Sequence, residues 1–309
     1  MPHENIRHMK CTVAVSGGSD SLYALLYLRE EGWNVHALHA LFLPSATAGG
    51  AARDLADLCA GLGIPFETLD LSKAFFRSVM EPFAMEHARA RTPNPCALCN
   101  RAMKFGLLLE HALQDGGMYA TGHFASMQEH PVYGMTLRAA AYAPKDQSYF
   151  LSLVPIEKLR RCIFPLAGIS KPDARAWLAR RGYSVPLPSE SQEICFIPGD
   201  NHCAWLEQWQ RKRMINLPGP GPVLLARTGQ VIARHSGLWR YTEGQRRGLG
   251  IACHCPQAQR KCPRRRIQNR SGRRPLFCCR NKYHGPPQKM AMQRLREGAL
   301  PPCARSGRR

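Results

Sequence analysis

The chain has 309 residues, room for two or three domains, and an apolar content of 44% that is typical of globular proteins. No stretch approaches the roughly 20 apolar residues of a membrane span and residues 1–10 contain no apolar signal region, so we expect a cytoplasmic protein with no membrane partner. The formal charge of +21 is uneven, because residues 1–252 carry +6 and residues 253–309 carry +15.

The first predicted element is a strand that runs into a glycine-rich turn. An apolar run over residues 11–15 is followed by Ser16-Gly17-Gly18-Ser19-Asp20-Ser21 and then by a helical pattern of leucines. This order aims backbone N–H groups and a helix dipole at a phosphate, and Asp20 falls in the first helical turn, where a carboxylate is favoured and could hold Mg²⁺. The lysine of the Walker pattern is absent, so the turn predicts a phosphate site of another kind. A plain glycine turn is the alternative.

Alternating strands and helices follow along the chain. Apolar runs predict strands over 35–42, 66–71 and 118–121, and helical spacing predicts helices over 51–62, 73–88 and 104–113. This alternation is typical of an α/β fold with a doubly wound parallel sheet. Ligands bind such sheets at the carboxyl ends of strands, where both the glycine-rich turn and Ala120-Thr121-Gly122-His123 lie.

From about residue 155 the pattern changes to a small α+β unit. Residues 170–173 predict a helix that begins with a capping box and ends at Gly182. A hairpin is predicted from two strands, 223–226 and 231–234. We therefore expect domains at 1–155 and 156–252, followed by a basic Arg/Pro/Cys-rich tail, 253–309, that has no periodic element and is disordered.

Thirteen cysteines in an intracellular chain favour metal, redox or sulfur chemistry over a disulfide framework. Cys96-Ala-Leu-Cys99 follows a proline-stiffened loop and precedes a helix, and a helix N-terminus would stabilise a thiolate on Cys99 as a nucleophile. Half a zinc site, completed by Cys195, His202 and Cys203, is an alternative, and so is a redox pair.

The other cysteines and histidines divide into structural and functional candidates. Cys195 stands in an apolar run after polar residues, where a buried structural cysteine is the alternative to a reactive one. Apolar surroundings indicate core positions for Cys11, Cys59 and Cys162. The strand positions of His36 and His39 favour structural roles, whereas His123 follows Thr-Gly at the end of a strand.

Taken in order, these motifs resemble the tRNA-uridine 2-sulfurtransferases, the MnmA/TrmU family of 2-thiouridylases that act on the wobble uridine. The resemblance runs over 10–252 and implies an ATP-binding domain of the PP-loop, adenine nucleotide alpha hydrolase-like type. The matching words are SGGSDS (16–21), RTPNPCALCN (91–100), KFG (104–106), ATGH (120–123), KDQSYFL (145–151), ICFI (194–197) and GQRRGLGI (244–251).

The resemblance implies an ATP-dependent 2-thiolation of U34. AMP is transferred to the C2 oxygen of uracil while the glycine-rich turn holds the departing pyrophosphate, with Mg²⁺ shielding charge. Cys195 then carries sulfur as a persulfide, received from a sulfur-relay partner or a cysteine desulfurase. Cys99 attacks, frees the sulfur and leaves a Cys99–Cys195 disulfide that is reduced in each turnover.

The resemblance also implies roles for single residues. Asn94, Pro95 and Cys96 align with the segment that meets the target base, and His123, Lys145, Asp146 and Gln147 align with tRNA contacts. The residues that align with nucleotide contacts are Ala14, Val15, Ser16, Gly17, Gly18, Ser19, Asp20, Ser21 and Gly122.

The chain departs from the family pattern at two places. Many members have Asp where this chain has Cys96, so Cys96, Cys99 and Cys195 form an alternative three-cysteine set for a [4Fe–4S] cluster that binds sulfide. In the family, a β-barrel follows the segment that corresponds to residues up to 252. In this chain residues 253–309 stand in its place. A shifted or truncated reading frame, a basic arm for tRNA phosphates and a second metal site are three interpretations of this tail.

Two other functions stay open at this point. One is another adenylating or thiolating enzyme of the same fold, although such an enzyme would not need both KDQSYFL and ICFI. The other is a catalytically impaired tRNA-binding remnant that has lost the barrel.

Overall fold

The computed structural model describes residues 9–183, 194–213, 215–225, 228–242, 265–267 and 276–278. Contacts divide the chain into two units, Met1–Pro218 and Gly219–Arg309. The sequence division at 155 and 252 stays a prediction. The word GQRRGLGI and most of the 253–309 tail lie outside the described residues.

A five-stranded parallel sheet forms the centre of the first unit, as the sequence predicts. Its strands are β1 (Lys10–Ala14), β2 (Asn34–Leu41), β3 (Phe66–Asp70), β4 (Met118–Thr121) and β7 (Cys162–Ile163). They lie in the order β3-β2-β1-β4-β7 across the sheet. In the centre of the sheet Val13 is paired with Ala37 on one side and Ala120 on the other.

Helices cover both faces of this sheet because successive residues of a strand point to opposite sides. Cys11, Val13 and Val15 belong to one apolar cluster with the helices α1 (Ser19–Glu30) and α8 (Lys171–Arg180). Ala14 packs against a second cluster, which includes Phe105 and α6 (Leu108–Ala112). The helix α2 (Ser45–Gly61) adds Leu55 and Cys59 to the first cluster.

The helices of residues 72–112 are longer than the sequence pattern predicts. The first runs through α3 (Ser72–Phe75), a π-helical turn at Phe76–Met80 and α4 (Glu81–Ala88). The second runs through α5 (Pro95–Cys99), a π-helical segment at Asn100–Leu107 and α6. Its predicted start at residue 104 is wrong, because Asn94 caps the helix and Pro95 occupies its first position.

A β-hairpin and short helices complete the first unit. The antiparallel strands β5 (Ala125–His130) and β6 (Gly134–Ala139) form the hairpin. The short helices are the 3₁₀ turns Ala143–Lys145, Ser148–Leu151 and Pro198–Asp200 and the helix α7 (Ile156–Leu159). A longer helix, α9 (His202–Arg213), follows the last of these turns.

The predicted cap at the start of α8 is confirmed at Ser170, and the Asp173 side chain bonds the hydroxyl group of Ser170. The backbone N–H of Asp173 donates to Ser170 Oγ at 3.2 Å, and the Asp173 carboxylate accepts from the same hydroxyl at 2.5 Å. Gly182 follows the helix with φ of +74°, a left-handed conformation that glycine adopts without strain.

The second unit contains a four-stranded antiparallel sheet. The predicted hairpin is present as β8 (Gly221–Leu225) and β9 (Val231–His235), with a 3₁₀ turn at Leu238–Arg240 after it. Two short strands, β10 (Arg265–Ile267) and β11 (Leu276–Cys278), extend this sheet in the order β11-β10-β8-β9. The expectation that the tail contains no element is wrong for these six residues, since each of the two strands finds a pairing partner that periodicity does not show.

Candidate functional site

Hydrogen bonds of serine hydroxyl groups shape the glycine-rich turn after β1. Gly17 has φ of +88°, and Gly18 occupies the N-cap position of α1 without a capping side chain. Ser21 Oγ accepts from the backbone N–H of Ser16 at 3.0 Å and donates to Gly18 O at 3.0 Å. The serines therefore bond within the turn and fix its curvature.

We call this turn the anion site, because its geometry is suited to an anion. The first backbone N–H groups of a helix have no partner within the helix, and the helix dipole adds positive potential at the same end. Because no side chain caps α1, these groups are left available to a ligand. The sequence prediction of a phosphate-binding turn agrees with this arrangement.

Gly122 lies against the start of α1. A Cβ atom at this position would come within 2.6 Å of the Asp20 carbonyl carbon and of the Ser21 backbone nitrogen. The sequence places Gly122 at the end of β4, next to β1 in the sheet, which explains the close approach. Only a residue without a side chain fits here, and Gly122 therefore shapes the anion site.

A lysine that sequence reasoning did not assign to the site also reaches this turn. Lys171, the first residue of α8, is 6% exposed and donates from Nζ to Asp20 Oδ2 at 3.0 Å. Ser19 Oγ donates to the other oxygen, Asp20 Oδ1, at 3.1 Å. The lysine missing from the turn itself is thus supplied from 151 residues later in the chain.

The two residues before the turn are engaged in the sheet. Ala14 is paired with Leu38 and with Thr121. The N–H of Val15 donates to Leu38 O at 2.9 Å, and its carbonyl accepts from His39 Nδ1 at 2.7 Å. The predicted structural role of His39 is confirmed, and Ala14 and Val15 lie beside the turn as parts of its support.

The Cys-x-x-Cys motif lies in the first turns of the second long helix. Ala97 N donates to the Asn94 side chain at 3.1 Å, and Pro95 is buried beneath it. Cys96 is exposed and Cys99 is buried. The expectation of a stabilised thiolate at Cys99 is wrong for the free thiol, because desolvation by burial raises the pKa of Cys99 to about 11.

Cys195 is brought to the same place from nearly 100 residues away. Its neighbour Phe196 is buried among three rings, with centroids 5.8 Å from Phe75, 5.3 Å from Phe83 and 5.4 Å from Trp205. This aromatic anchor, which the sequence analysis did not single out, holds an otherwise exposed Cys195 in position.

The charge of Lys104 acts on all three thiols. Desolvation raises the pKa of Cys96, Cys99 and Cys195, and the charge of Lys104 lowers each of these pKa values in part. Cys96 and Cys195 are in turn close enough to Cys99 for their charges to raise its pKa. The predicted set of three cysteines is therefore within the electrostatic influence of one lysine, which the sequence analysis recorded only within the motif KFG.

We expect Lys104→Met to slow alkylation of these thiols by about two- to tenfold at pH 8. Removal of the cation raises each thiol pKa further, so less thiolate is present at a given pH and the rate–pH profile moves to higher pH. The measurement is isotope-coded iodoacetamide labelling with peptide mass spectrometry. Lys158→Met, which removes an ion pair to Glu110, is the control with unchanged rates; a profile unmoved by Lys104→Met would contradict the assignment.

His123 joins the anion site to the thiol site. It follows Gly122, its Nδ1 lies 2.8 Å from Thr121 Oγ1, and its ring is 5.5 Å from that of Phe105. It is buried, and burial, followed by the charge of Lys104, holds its pKa well below the ordinary value. His123 is thus neutral and can contact only a group that enters the interior.

The segment 145–147 is held by hydrogen bonds to Phe124 and Ala140. Asp146 Oδ1 accepts from the backbone N–H groups of Ala140 and Ser148, at 3.1 and 3.2 Å. Gln147 is paired with Phe124, whose N–H donates to Gln147 Oε1 at 3.0 Å and whose carbonyl accepts from Gln147 N at 2.8 Å. Asp146 and Gln147 thus shape this loop, and Lys145 is partly exposed beside them.

The metal hypotheses find no preformed site in the part of the chain that the structure describes. No group of three or more His, Cys, Asp or Glu side chains is placed there to hold a metal ion. His202, a candidate zinc ligand, stacks on His87 with ring centroids 5.5 Å apart.

The core positions predicted for Cys11, Cys59 and Cys162 are confirmed by their burial. No helix among the described residues has the length and apolar character needed to cross a membrane.

Two family models match this chain. The model described as tRNA methyl transferase HUP domain matches residues 9–199, and the one described as tRNA methyl transferase PRC-barrel domain matches residues 212–261. A HUP domain implies ATP binding, in agreement with the anion site at residues 16–21.

Several curated proteins resemble the chain over most of its length. It is 51% identical over 254 residues to the tRNA-specific 2-thiouridylase MnmA of Nitratidesulfovibrio vulgaris, which covers 80% of this chain and 71% of that protein. The protein of the same description from Thermus thermophilus is 38% identical over 256 residues, 77% of this chain and 66% of that one.

A solved structure also aligns with the chain. It is the U34-tRNA thiolase NcsA from Methanococcus maripaludis with its [4Fe–4S] cluster, at a TM-score of 0.39 and 15% identity, covering 67% of this chain and 66% of that one. This similarity is too weak to bear on the cysteines.

Proposed function

This chain belongs to the family of tRNA-specific 2-thiouridylases named MnmA, and from that premise we propose that it thiolates C2 of the wobble uridine of tRNA at the expense of ATP. The observation that supports this most directly is the union of an anion-binding turn with three thiols beside Lys104. One half suits activation of an oxygen by a nucleotide, and the other half suits delivery of sulfur.

ATP is a substrate in this proposal, and the turn Ser16–Ser21 holds its phosphates. Backbone N–H groups at the start of α1 and the ammonium of Lys171 balance the charge that grows on pyrophosphate as AMP is transferred to the C2 oxygen. Gly122, Ala14 and Val15 line the same end of the sheet. Mg²⁺ would shield phosphate charge, and Asp20, whose two oxygens accept from Ser19 and from Lys171, is the proposed ligand.

The sulfur half uses the cysteines in sequence. The terminal sulfur of a persulfide on Cys195 attacks C2, and the C2–O bond breaks with AMP as the leaving group. The Cys99 thiolate then attacks Cys195 Sγ, the S–S bond to the base breaks, and the 2-thiouridine leaves with the electron pair. The product disulfide joins Cys99 to Cys195, and an external dithiol reduces it.

Binding must also activate Cys99. Burial raises the pKa of Cys99 to about 11, so most of this nucleophile is protonated in the free enzyme. Lys104 is the group placed to stabilise the thiolate once the target base, guided by Asn94, Pro95 and Cys96, occupies the site.

A [4Fe–4S] cluster on Cys96, Cys99 and Cys195 is the competing proposal for sulfur delivery. The three thiols share Lys104, but the described residues do not set them as a preformed metal-binding group. We keep the cluster as the alternative to the persulfide route and derive no step through it.

The partners follow from this chemistry. The tRNA is bound through the wobble nucleotide and through contacts that include His123, Lys145, Asp146 and Gln147. The sulfur atom comes from a relay protein or a cysteine desulfurase, since a thiol becomes a persulfide by accepting sulfane sulfur from a donor. Such donors and the tRNA are cytoplasmic, and we place the enzyme there.

The proposal is tested by expressing the chain in bacterial cells that lack their own 2-thiouridylase. We expect 2-thiouridine at the wobble position, measured by mass spectrometry of tRNA nucleosides, and no iron in active protein purified without oxygen. Binding of tRNA without any thiolation would favour the tRNA-binding remnant. Thiolation of cytidine in place of uridine would favour another enzyme of the same fold, and activity that depends on bound iron would favour the cluster.

We expect Lys171→Met to weaken ATP binding by about tenfold or more. The substitution keeps the length of the side chain but removes the cation that faces Asp20, leaving a carboxylate to repel the phosphates. Isothermal titration calorimetry with a non-hydrolysable ATP analogue measures the change. The matched control is Lys10→Met, which removes another lysine–aspartate pair of 3.0 Å, to Asp115, and should leave affinity unchanged. Equal affinities of the two variants would contradict this role of Lys171.

A further inference from the structure

Tyr149 is an exposed aromatic side chain at the edge of the thiol site. It is 57% exposed, and its ring centroid lies 3.8 Å from that of Phe150 with the two planes tilted by 35°. A ring that is supported on one side and open to solvent on the other offers its free face to a planar ligand.

The backbone that carries Tyr149 is fixed to the helix that carries the cysteines. The turn Ser148–Leu151 contacts both α5 and the π-helical segment after it. Asn100 Nδ2 donates to Phe150 O at 3.2 Å, and Leu151 is fully buried. The ring is therefore held in a defined place and not on a loose loop.

The turn that carries Tyr149 contacts α5, the helix to which Cys96 belongs. Desolvation raises the pKa of Tyr149, and the charges of Cys96 and Asp146 raise it further. The side chains of Asp146 and Gln147 form hydrogen bonds with Ala140, Ser148 and Phe124, as described above. Within residues 145–151 Tyr149 is the most exposed residue.

On these grounds we propose that Tyr149 is the platform on which the uracil of the wobble nucleotide stacks when it leaves the anticodon and enters the thiol site. This inference rests on the proposed function. Proteins that read or modify unpaired nucleotides stack the bases on aromatic rings, which bind with little loss of conformational freedom. Stacking positions the base, while the neighbouring polar groups select uracil.

The experiment compares two transcripts of one tRNA, with uridine or with an abasic site at the wobble position, by fluorescence anisotropy. Tyr149→Leu should weaken binding of the uridine transcript by about 10- to 100-fold, whereas Tyr149→Phe and Tyr149→Trp should bind as the unsubstituted protein does. On the abasic transcript all four proteins should bind alike. Tyr133→Leu, which removes a 75% exposed tyrosine beside His130, is the matched control and should change neither.

Two results would overturn the platform. One is an equal loss of affinity for both transcripts in Tyr149→Leu, which would place the contact away from the base. The other is failure of the phenylalanine and tryptophan variants to restore binding. Absence of thiolation by the unsubstituted protein, with the base-dependent effect of Tyr149→Leu preserved, would support the platform and count against the proposed function alone.

Discussion

Cys195→Ser and Cys99→Ser are each expected to lower the rate of wobble-uridine thiolation by at least about a thousandfold. A serine hydroxyl can neither carry a persulfide nor displace sulfur from one, so each variant stops the reaction at a different bond. ATP affinity should stay within about twofold, because the turn Ser16–Ser21 makes its hydrogen bonds locally and with Lys171.

The two variants differ in what they accumulate. In Cys99→Ser, Cys195 can still receive sulfur, so intact-protein mass spectrometry after incubation with the donor should find one added sulfur atom. In Cys195→Ser that sulfur should be missing. A sulfur-loaded Cys195→Ser protein, or loss of ATP binding in either variant, would show that the roles are assigned to the wrong residues.

Cys203 and Cys96 provide the controls. Cys203→Ser replaces a partly exposed thiol beside His202 and should retain full activity. Cys96→Asp restores the residue that many family members carry and should retain activity by the persulfide route, whereas a cluster on three cysteines would be lost with it. Cys96→Asp, with Cys203→Ser as its control, therefore separates the two sulfur-delivery hypotheses.

Local signals in the sequence were sufficient for much of the fold. The capping box at Ser170 and the hairpin around Thr228-Gly229 are read from neighbouring residues, and the structure contains both. The anion-binding turn belongs to the same class, since its geometry depends on two glycines and three serines in one short segment. The parallel sheet follows from the alternation of strands and helices.

Features that depend on contacts between distant residues could not be predicted in this way. Lys171 reaches Asp20 across 151 residues, and no pattern around residue 171 other than the capping box marks it. The pKa of Cys99 was misjudged because a helix N-terminus lowers a thiol pKa while burial raises it, and only the packed structure shows that burial is larger. Phe196 illustrates the same limit, since its ring partners come from two separate helices, the one that spans residues 72–88 and α9.

The thiol site and the anion site are coupled through one short strand end. Gly122 contacts the backbone at Asp20 and Ser21, and the next residue, His123, lies against Phe105 in the segment that carries Lys104. A displacement of residues 122–123 would therefore move atoms at the start of α1 and in the segment that carries Lys104. This makes Gly122 the position at which a single methyl group should have the largest effect on nucleotide binding.

Gly122→Ala is expected to weaken ATP binding by at least about tenfold and to lower the thermal midpoint. The added Cβ would lie 2.6 Å from backbone atoms that cannot rotate away, so the start of α1 must move, and overpacking of this kind costs about 1–3 kcal/mol. The N–H groups that face the phosphates move with it. Differential scanning fluorimetry and calorimetry with an ATP analogue measure the two effects.

Gly168→Ala is the matched control, because a Cβ there has no described heavy atom within 4 Å and the backbone conformation is accessible to alanine. It should leave both the thermal midpoint and ATP affinity unchanged. A lowered midpoint would show that the methyl group displaces the start of α1. If ATP affinity nevertheless stayed the same, the nucleotide would bind elsewhere than at this turn, and the anion site would lose its assignment.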